Sequence, residues 1–226
     1  MADKSKRQKG GVTPPQLPRT APLAALPGGP LDDRAVYGDL VLAQADVSGQ
    51  VARGVTFEEA HLKHVRLGGT RLVAASLRDV RLETCDLAEA DWEKAHLTRI
   101  EFIESRLVGF KAIEARIQDA TFTGCNARLA LFWSATFKAV RFERCVLAEA
   151  SFHGADLSGV VFAHCDLRGA DMRGARLAGA DFRGSQVEGL QVGSGDLRGA
   201  IIDPTQAATF AALLGLVVRW DDGASD

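Results

Sequence analysis

The 226-residue chain lacks most of the features by which a sequence announces its chemistry. Its apolar stretches are far too short to span a bilayer, so no transmembrane segment is expected. Charge of one sign is missing too. The formal net charge is −2, which singles out neither nucleic acid nor an anionic membrane as partner. The basic cluster Lys4, Lys6, Arg7 and Lys9 is not followed by an apolar run long enough for a signal peptide, and a cytoplasmic location is expected. No glycine-rich phosphate loop is present, and no Ser-His-Asp arrangement can be argued from spacing. The five histidines, His61, His64, His96, His153 and His164, form no ligand motif. No catalytic residue, metal or cofactor is expected, and the chain reads as a non-enzyme. Proline is scarce after residue 30: six of the seven prolines lie in residues 1–30. With Gly10, Gly11, Gly28 and Gly29 they predict a flexible basic arm, because such a segment buries too little apolar surface to offset its ordering entropy.

What the chain does have is a period. From Leu42 to Ile202 every fifth residue is apolar, 33 positions without a slip. In a chain that is 46% hydrophobic this is a chance event of roughly one in 10^11, and five matches neither the helical period nor the period of a flat strand. A short unit that repeats and stacks on itself, a solenoid, is the remaining reading, and residues 31–202 form its single domain. Two residues before the apolar centre the chain prefers a small apolar side chain, as at Ala90, Ala95, Ala115, Ala120, Cys125 and Ala130. Positions two apart on an extended chain share a side, so both sites face inward and the residue between them faces out. The two residues after the centre are polar or glycine, as in Asp156-Leu157-Ser158-Gly159, and predict a corner.

Columns fix the number of sides. At a separation of twenty the centres read Phe102, Phe122, Phe142, Phe162 and Phe182. The small sites read Cys85, Ser105, Cys125, Cys145, Cys165 and Ser185. Twenty residues per coil means four sides, and the 33 centres predict about eight coils. At ~4.8 Å per coil the stack is about 40 Å tall. The four cysteines then form a row inside an apolar column, which cannot supply the tetrahedron zinc needs, so they read as small buried hydrophobes.

The copies Ala45-Asp46-Val47, Ala90-Asp91-Trp92, Ala155-Asp156-Leu157, Ala170-Asp171-Met172 and Ala180-Asp181-Phe182 resemble the pentapeptide repeat family, whose consensus is A-(D/N)-L-x-x. The resemblance covers residues 40–202 and implies an all-β fold, a right-handed quadrilateral parallel β-helix. The middle departs from consensus, with Arg66, Arg71, Arg81, Arg106, Lys111, Arg116 and Arg141 in place of Asp or Asn. At Phe110-Lys111-Ala112 the large and small inward residues trade places, a swap that conserves volume. Residues 203–226 read as a cap and tail. Asp203 is the N-cap, Pro204 the first helical residue and Gln206 the capping-box partner; a helix follows from Ala207 to Leu214, Gly215 stops it, and Leu216-Val217-Val218 are predicted to be a short strand. Relatives dimerise end to end through such an element. That implies a homodimer through Phe210, Leu213, Leu214, Leu216 and Val218, with a monomeric cap as the alternative.

Some members of the family resemble duplex DNA in width and charge, bind type II topoisomerases and protect them from poisons such as fluoroquinolones or albicidin. The resemblance therefore implies DNA gyrase or topoisomerase IV as partner, without direct nucleic-acid or membrane binding. Mimicry needs a dense negative face, and acidic residues gather at Glu58, Glu59, Asp79 and Asp119 on one edge and at Glu83, Glu101, Glu104 and Glu143 on another. Against it, residues 31–202 hold 24 Asp and Glu against 21 Lys and Arg, and one outward column alternates Asp46, Arg66, Asp86, Arg106. The second functional reading is a scaffold that binds another protein through exposed apolar residues. Its candidates are Ile113, Leu131 and Trp133, with Leu129 at the preceding corner. A bend of the fold or cover by the N-terminal arm would account for the same residues.

Overall fold

The computed structural model describes residues 11–17 and 30–219. Among them are six eight-residue strands, β1 Val36–Ala43, β3 Thr56–Lys63, β5 Ser76–Glu83, β6 His96–Ile103, β7 Arg116–Thr123 and β8 Thr136–Glu143. Three short strands complete the ladder, β2 Val51–Arg53, β4 Arg71–Val73 and β9 Val161–Ala163; one helix, α1 Ala207–Leu213, follows. No helix among the described residues is long and apolar enough to cross a membrane.

All pairing is parallel and offset by twenty residues. Phe57 lies opposite Leu77, Leu77 opposite Leu97, Leu97 opposite Ile117 and Ile117 opposite Phe137. The seven-stranded sheet β1-β3-β5-β6-β7-β8-β9 marks about six turns of regular ladder, fewer than the eight coils expected. The difference lies past Ala163, where sides bounded by tight turns are too short to form strands. There the offset survives through single bridges, Asp166 to Gln186, Asp171 to Gln191 and Asp181 to Ile201.

The corners explain why five residues suffice for a side. From Arg34 to Gly189 every fifth residue has a positive φ, and twenty of these residues are not glycine. In a typical corner the Ala90 N–H donates to the Leu87 carbonyl at 3.1 Å, with Glu89 at φ +57 in the third place, as a type II turn requires. An L-residue there costs about 1–2 kcal/mol. The corner amide offsets that strain by bonding to the neighbouring coil: Glu89 N–H donates to Val108 C=O at 2.9 Å and Lys94 N–H to Ile113 C=O at 2.8 Å. Left-handed backbone is therefore tolerated at residues as unlike as Leu129, His164 and Lys94.

Inside, the phenylalanine column is a true stack. Phe102 and Phe122 have ring centroids 4.6 Å apart and planes within 4°, and Phe122 and Phe142 follow at 4.5 Å. Phe162 and Phe182 continue it at 5.4 Å, and Phe210 of α1 closes the end at 5.9 Å from Phe182. The traded pair Phe110 and Ala112 is fully buried, with Phe110 edge-on to Trp92 at 5.3 Å. All four cysteines are buried free thiols. Cys125 and Cys145 donate to the carbonyls of Phe102 and Phe122 in the coil below, at 3.5 and 3.3 Å. Burial pushes the Cys85 thiol up to about 11. Hydrogen bonding to Cys145 and burial push Cys125 and Cys165 up as well.

The C-terminal cap rests on two side chains. Asp203 accepts the N–H groups of Thr205 and Gln206 in a capping box and also that of Gly184 at 3.0 Å. Buried Gln206 donates to the carbonyls of Phe182 and Ser185, both at 2.7 Å, so backbone acceptors of the last coil are satisfied by the cap. The predicted strand at Leu216-Val217-Val218 does not form. These residues are exposed, Val217 at 81%, and the Leu216 N–H turns back to the Ala211 carbonyl at 3.0 Å to close the helix. Gly11 to Leu17, within the predicted flexible arm, lie against the solenoid, with Val12 only 3% exposed. The remainder of that arm falls outside the described residues.

Phe142 has rings stacked on both sides, so Phe142→Asp places an uncompensated carboxylate in the column and abolishes the cooperative melt. Phe142→Ala costs about 3–5 kcal/mol. Circular dichroism melts of both variants check this; an unchanged melting temperature would mean the column does not hold the rod together.

Candidate functional site

A four-sided solenoid offers its outward columns as surface. The first face begins with Asp46 and Ser48, the second with Val51 and Arg53, the third with Thr56 and Glu58, and the fourth with His61 and Lys63. Each is repeated every twenty residues, so a charge is placed by its coil and its neighbours are those one coil above and below.

Most of the predicted acidic face is consumed by that geometry. On the first face Arg66 pairs with Asp46 at 2.8 Å and Arg106 with Asp86 at 3.2 Å. On the third, Glu58 takes Arg78 at 2.7 Å. On the fourth, Glu83 takes Lys63 at 2.8 Å and His61 at 3.1 Å, buried Glu101 takes Arg81 at 2.7 Å, and Glu143 takes Arg141 and Arg144. Hydrogen bonding to Lys63 and to Arg141 holds Glu83 and Glu143 below the usual carboxylate range. Asp79 is buried at the corner between the third and fourth faces, in a bidentate pair with Arg99 at 2.7 and 2.5 Å. Burial works to raise its pKa, yet the Arg99 guanidinium and a backbone N–H from Gln16 hold it below the ordinary value. Asp119, two coils further along that corner, accepts from Gln118 and from the Thr13 N–H. Glu59 and Glu104 are exposed at corners of different columns. The eight acids do not converge on one stripe.

A motif that the turn reading passed over decides the rest of the surface charge. Asp166-Leu167-Arg168, Asp171-Met172-Arg173 and Asp181-Phe182-Arg183 each place acid and base two apart, on the same side of the strand. In each the carboxylate accepts the N–H of the residue two on at 3.0–3.1 Å and grips the same arginine through Nε and a terminal nitrogen. The side chains of Arg168, Arg173 and Arg183 are 58–62% exposed and those of the aspartates only 15–18%, so guanidinium forms the outer layer of these coils. The same i, i+2 spacing in the sequence is the signal that would have found it. A fourth copy, Asp196-Leu197-Arg198, spends its carboxylate on the N–H groups of Gly174 and Gly193.

The apolar candidates do come together. Ile113, Leu131 and Trp133 lie on the second face and Leu129 on its edge with the first; Val146, on the first face over Asn126, is set apart from Leu129 by the Arg128–Glu149 pair. Trp133 is 44% exposed and Leu129 46%, while Ile113 and Leu131 are half-buried. The indole does not swing freely, because its Nε1 donates to Ser151 Oγ at 2.7 Å. The edge carrying Leu129 is diagonal to the one that holds Thr13 and Gln16, so the described part of the arm does not cover the patch. Of the cap candidates, Phe210 is spent inside the chain's own core and Leu213 packs against it, while Leu214, Leu216 and Val218 are exposed. The fourth face dips where short Thr121 and Thr123 lie between the Arg81–Glu101 and Arg141–Glu143 pairs, a shallow cavity of about 530 Å³ that Ile103 also lines. Among the described residues no three His, Cys, Asp or Glu side chains are grouped to hold a metal ion.

Comparison with known proteins agrees with the register. The family model described as pentapeptide repeats (8 copies) matches residues 41–79, and that described as a pentapeptide repeat region matches 135–208, together half of the chain. The chain belongs to the pentapeptide repeat family. Among solved structures, this pentapeptide repeat protein is similar to QnrB1, a plasmid-mediated fluoroquinolone resistance protein, at 20% identity over 80% of this chain and 100% of that one, with a TM-score of 0.42. HetL from the cyanobacterium Nostoc sp. strain PCC 7120, a pentapeptide repeat protein involved in heterocyst differentiation regulation, is similar at 22% identity over 75% of this chain and 85% of that one, with a TM-score of 0.37. No curated protein sequence matches.

Asp79, Asp166, Asp171 and Asp181 all have native-state pKa values below the ordinary aspartate value near 3.8. A depressed native pKa contributes stability that is present above the unfolded value and lost as pH falls through the native one. The melting temperature therefore stays flat down to about pH 5 and drops below pH 4, and Asp79→Asn flattens that drop in a pH series of thermal melts. An equal acid-limb slope in the variant would remove Asp79 from the account.

Proposed function

We propose that this pentapeptide repeat protein is a non-enzymatic binding rod, and that its contact surface is the apolar patch of Ile113, Leu129, Leu131 and Trp133. The observation that carries this is Trp133, exposed yet pinned by Ser151, because a rigid aromatic anchor loses little entropy when a partner buries it. Ile113 and Leu131 share its face and Leu129 stands at the adjoining edge, whereas charges on the other described faces are largely paired in place. The rod itself supplies a rigid platform, since coils locked by stacked side chains do not rearrange when a partner docks.

The partner we infer is a type II topoisomerase, DNA gyrase or topoisomerase IV. This reading rests on family membership, and the fluoroquinolone-resistance role printed for QnrB1 belongs to that protein. Mimicry of duplex DNA is disfavoured here by paired carboxylates and by the guanidinium layer over the last coils. Contact through the patch needs no such mimicry. A gyrase supercoiling assay, with and without ciprofloxacin, tests the partner: micromolar protein is expected to rescue supercoiling, and Leu131→Glu/Trp133→Glu to lose at least tenfold in potency while melting like the parent. No rescue and no inhibition by the parent protein sinks the topoisomerase reading; rescue undiminished in the double variant sinks the patch.

Self-association through the exposed end of the cap is a second part of the proposal. Leu214, Leu216, Val217 and Val218 leave an apolar tip at the C-terminal end of the stack. Sedimentation velocity is expected to show a dimer that Leu216→Asp/Val217→Asp converts to monomer. A parent protein that sediments as a monomer at 100 micromolar would rule it out.

A further inference from the structure

The segment Gly11-Val12-Thr13-Pro14-Pro15-Gln16-Leu17 lies along the corner between the third and fourth faces, and its contacts have a spacing of their own. Thr13 N–H donates to Asp119 Oδ1 at 3.1 Å and Gln16 N–H to Asp79 Oδ1 at 2.8 Å. The two carboxylates are forty residues apart, two coils, or about 9.6 Å at ~4.8 Å per coil. Between the donors stand two prolines, which have no N–H, fix φ near −65° and hold the residues before them extended. These restrictions favour the polyproline II conformation, with three residues per turn and a rise of about 3.1 Å, in which positions three apart point the same way and lie about 9.3 Å apart. The period of the peptide thus matches two steps of the solenoid. Val12, on the same side as Pro15 by that period, is buried. Arg99, on the coil between the two aspartates, holds Asp79 in place for the Gln16 amide.

We propose that this corner is a binding groove for extended segments carrying two amide donors separated by Pro-Pro, and that residues Val12 to Leu17 fill it as an intramolecular strap that a partner's segment of the same chemistry must displace. The acidic corner alone would be no site. What defines it is the occupant, whose only amides between residues 13 and 16 both find carboxylates at the coil spacing. Covalent attachment presents the strap at an effective concentration on the order of millimolar, so a free peptide competes poorly with it. The groove is diagonal to the Trp133 patch, so it is a second surface, independent of the first.

The test uses the full chain. Thr13→Pro/Gln16→Pro removes both donors from the strap without touching the solenoid. A fluorescein-labelled peptide GVTPPQL is expected to bind this variant at least tenfold more tightly than the parent protein by fluorescence anisotropy. A peptide with one proline deleted, GVTPQL, puts the donors out of step and is expected to bind the variant at least tenfold more weakly than the parent peptide. In the parent protein, hydrogen exchange of the Thr13 and Gln16 amides is expected to be slowed at least a hundredfold. Equal binding of GVTPPQL to both proteins, equal binding of the two peptides, no binding to the variant at millimolar peptide, or exchange of either amide at the rate of an unstructured chain would each overturn the proposal. The exchange measurement stands even if the variant fails to fold.

Discussion

Each inward side chain in this protein packs on the one twenty residues away, and every other property of the molecule depends on that vertical contact. Phe122 sits on Phe102 and under Phe142 because the ladder allows no other register. A slip of one residue would turn the phenylalanines to solvent and the carboxylates to the core. The same contact sets the corner amides opposite carbonyls of the next coil, which makes twenty left-handed non-glycine corners tolerable. Strain and stacking are two sides of one arrangement: the corners turn the chain sharply enough to bring like residues over one another, and the stack holds the corners in place.

The outward columns inherit this geometry. A carboxylate on one coil meets whatever stands one coil above, below, or two residues along the same side. Asp46 finds Arg66, Glu101 finds Arg81, and Asp181 finds Arg183. Charge on such a rod is used locally unless a whole column carries one sign, and no column here does. That is why the described surface is mixed in charge, with Leu129, Leu131 and Trp133 exposed or half-buried among polar neighbours.

Much of the fold was legible because its signals are periodic. The centres at 42 to 202, the Phe column and the inward cysteines were each read from spacing, and the capping box of Asp203 and Gln206 with Pro204 as first helical residue was read from residue types alone. The short strand expected at Leu216 to Val218 failed for a physical reason: the Leu216 amide closes the end of the helix on Ala211, and β-branched residue types alone do not say which partner an amide takes. The strap was illegible for a similar reason. Pro14 and Pro15 announce an extended segment, but nothing in residues 11–17 names Asp79 and Asp119 as its partners.

The sequence by itself determined the five-residue side, the twenty-residue coil, the inward and outward assignment and the capped end, because each follows from local pattern repeated many times. Tertiary structure alone decided how far each apolar candidate stays in solvent, which carboxylates are spent on arginines of their own side, and where the N-terminal segment lies. Those outcomes depend on what is stacked one or two coils away and on how far each side chain reaches, and a repeat encodes position along the rod without encoding the contacts across its edges.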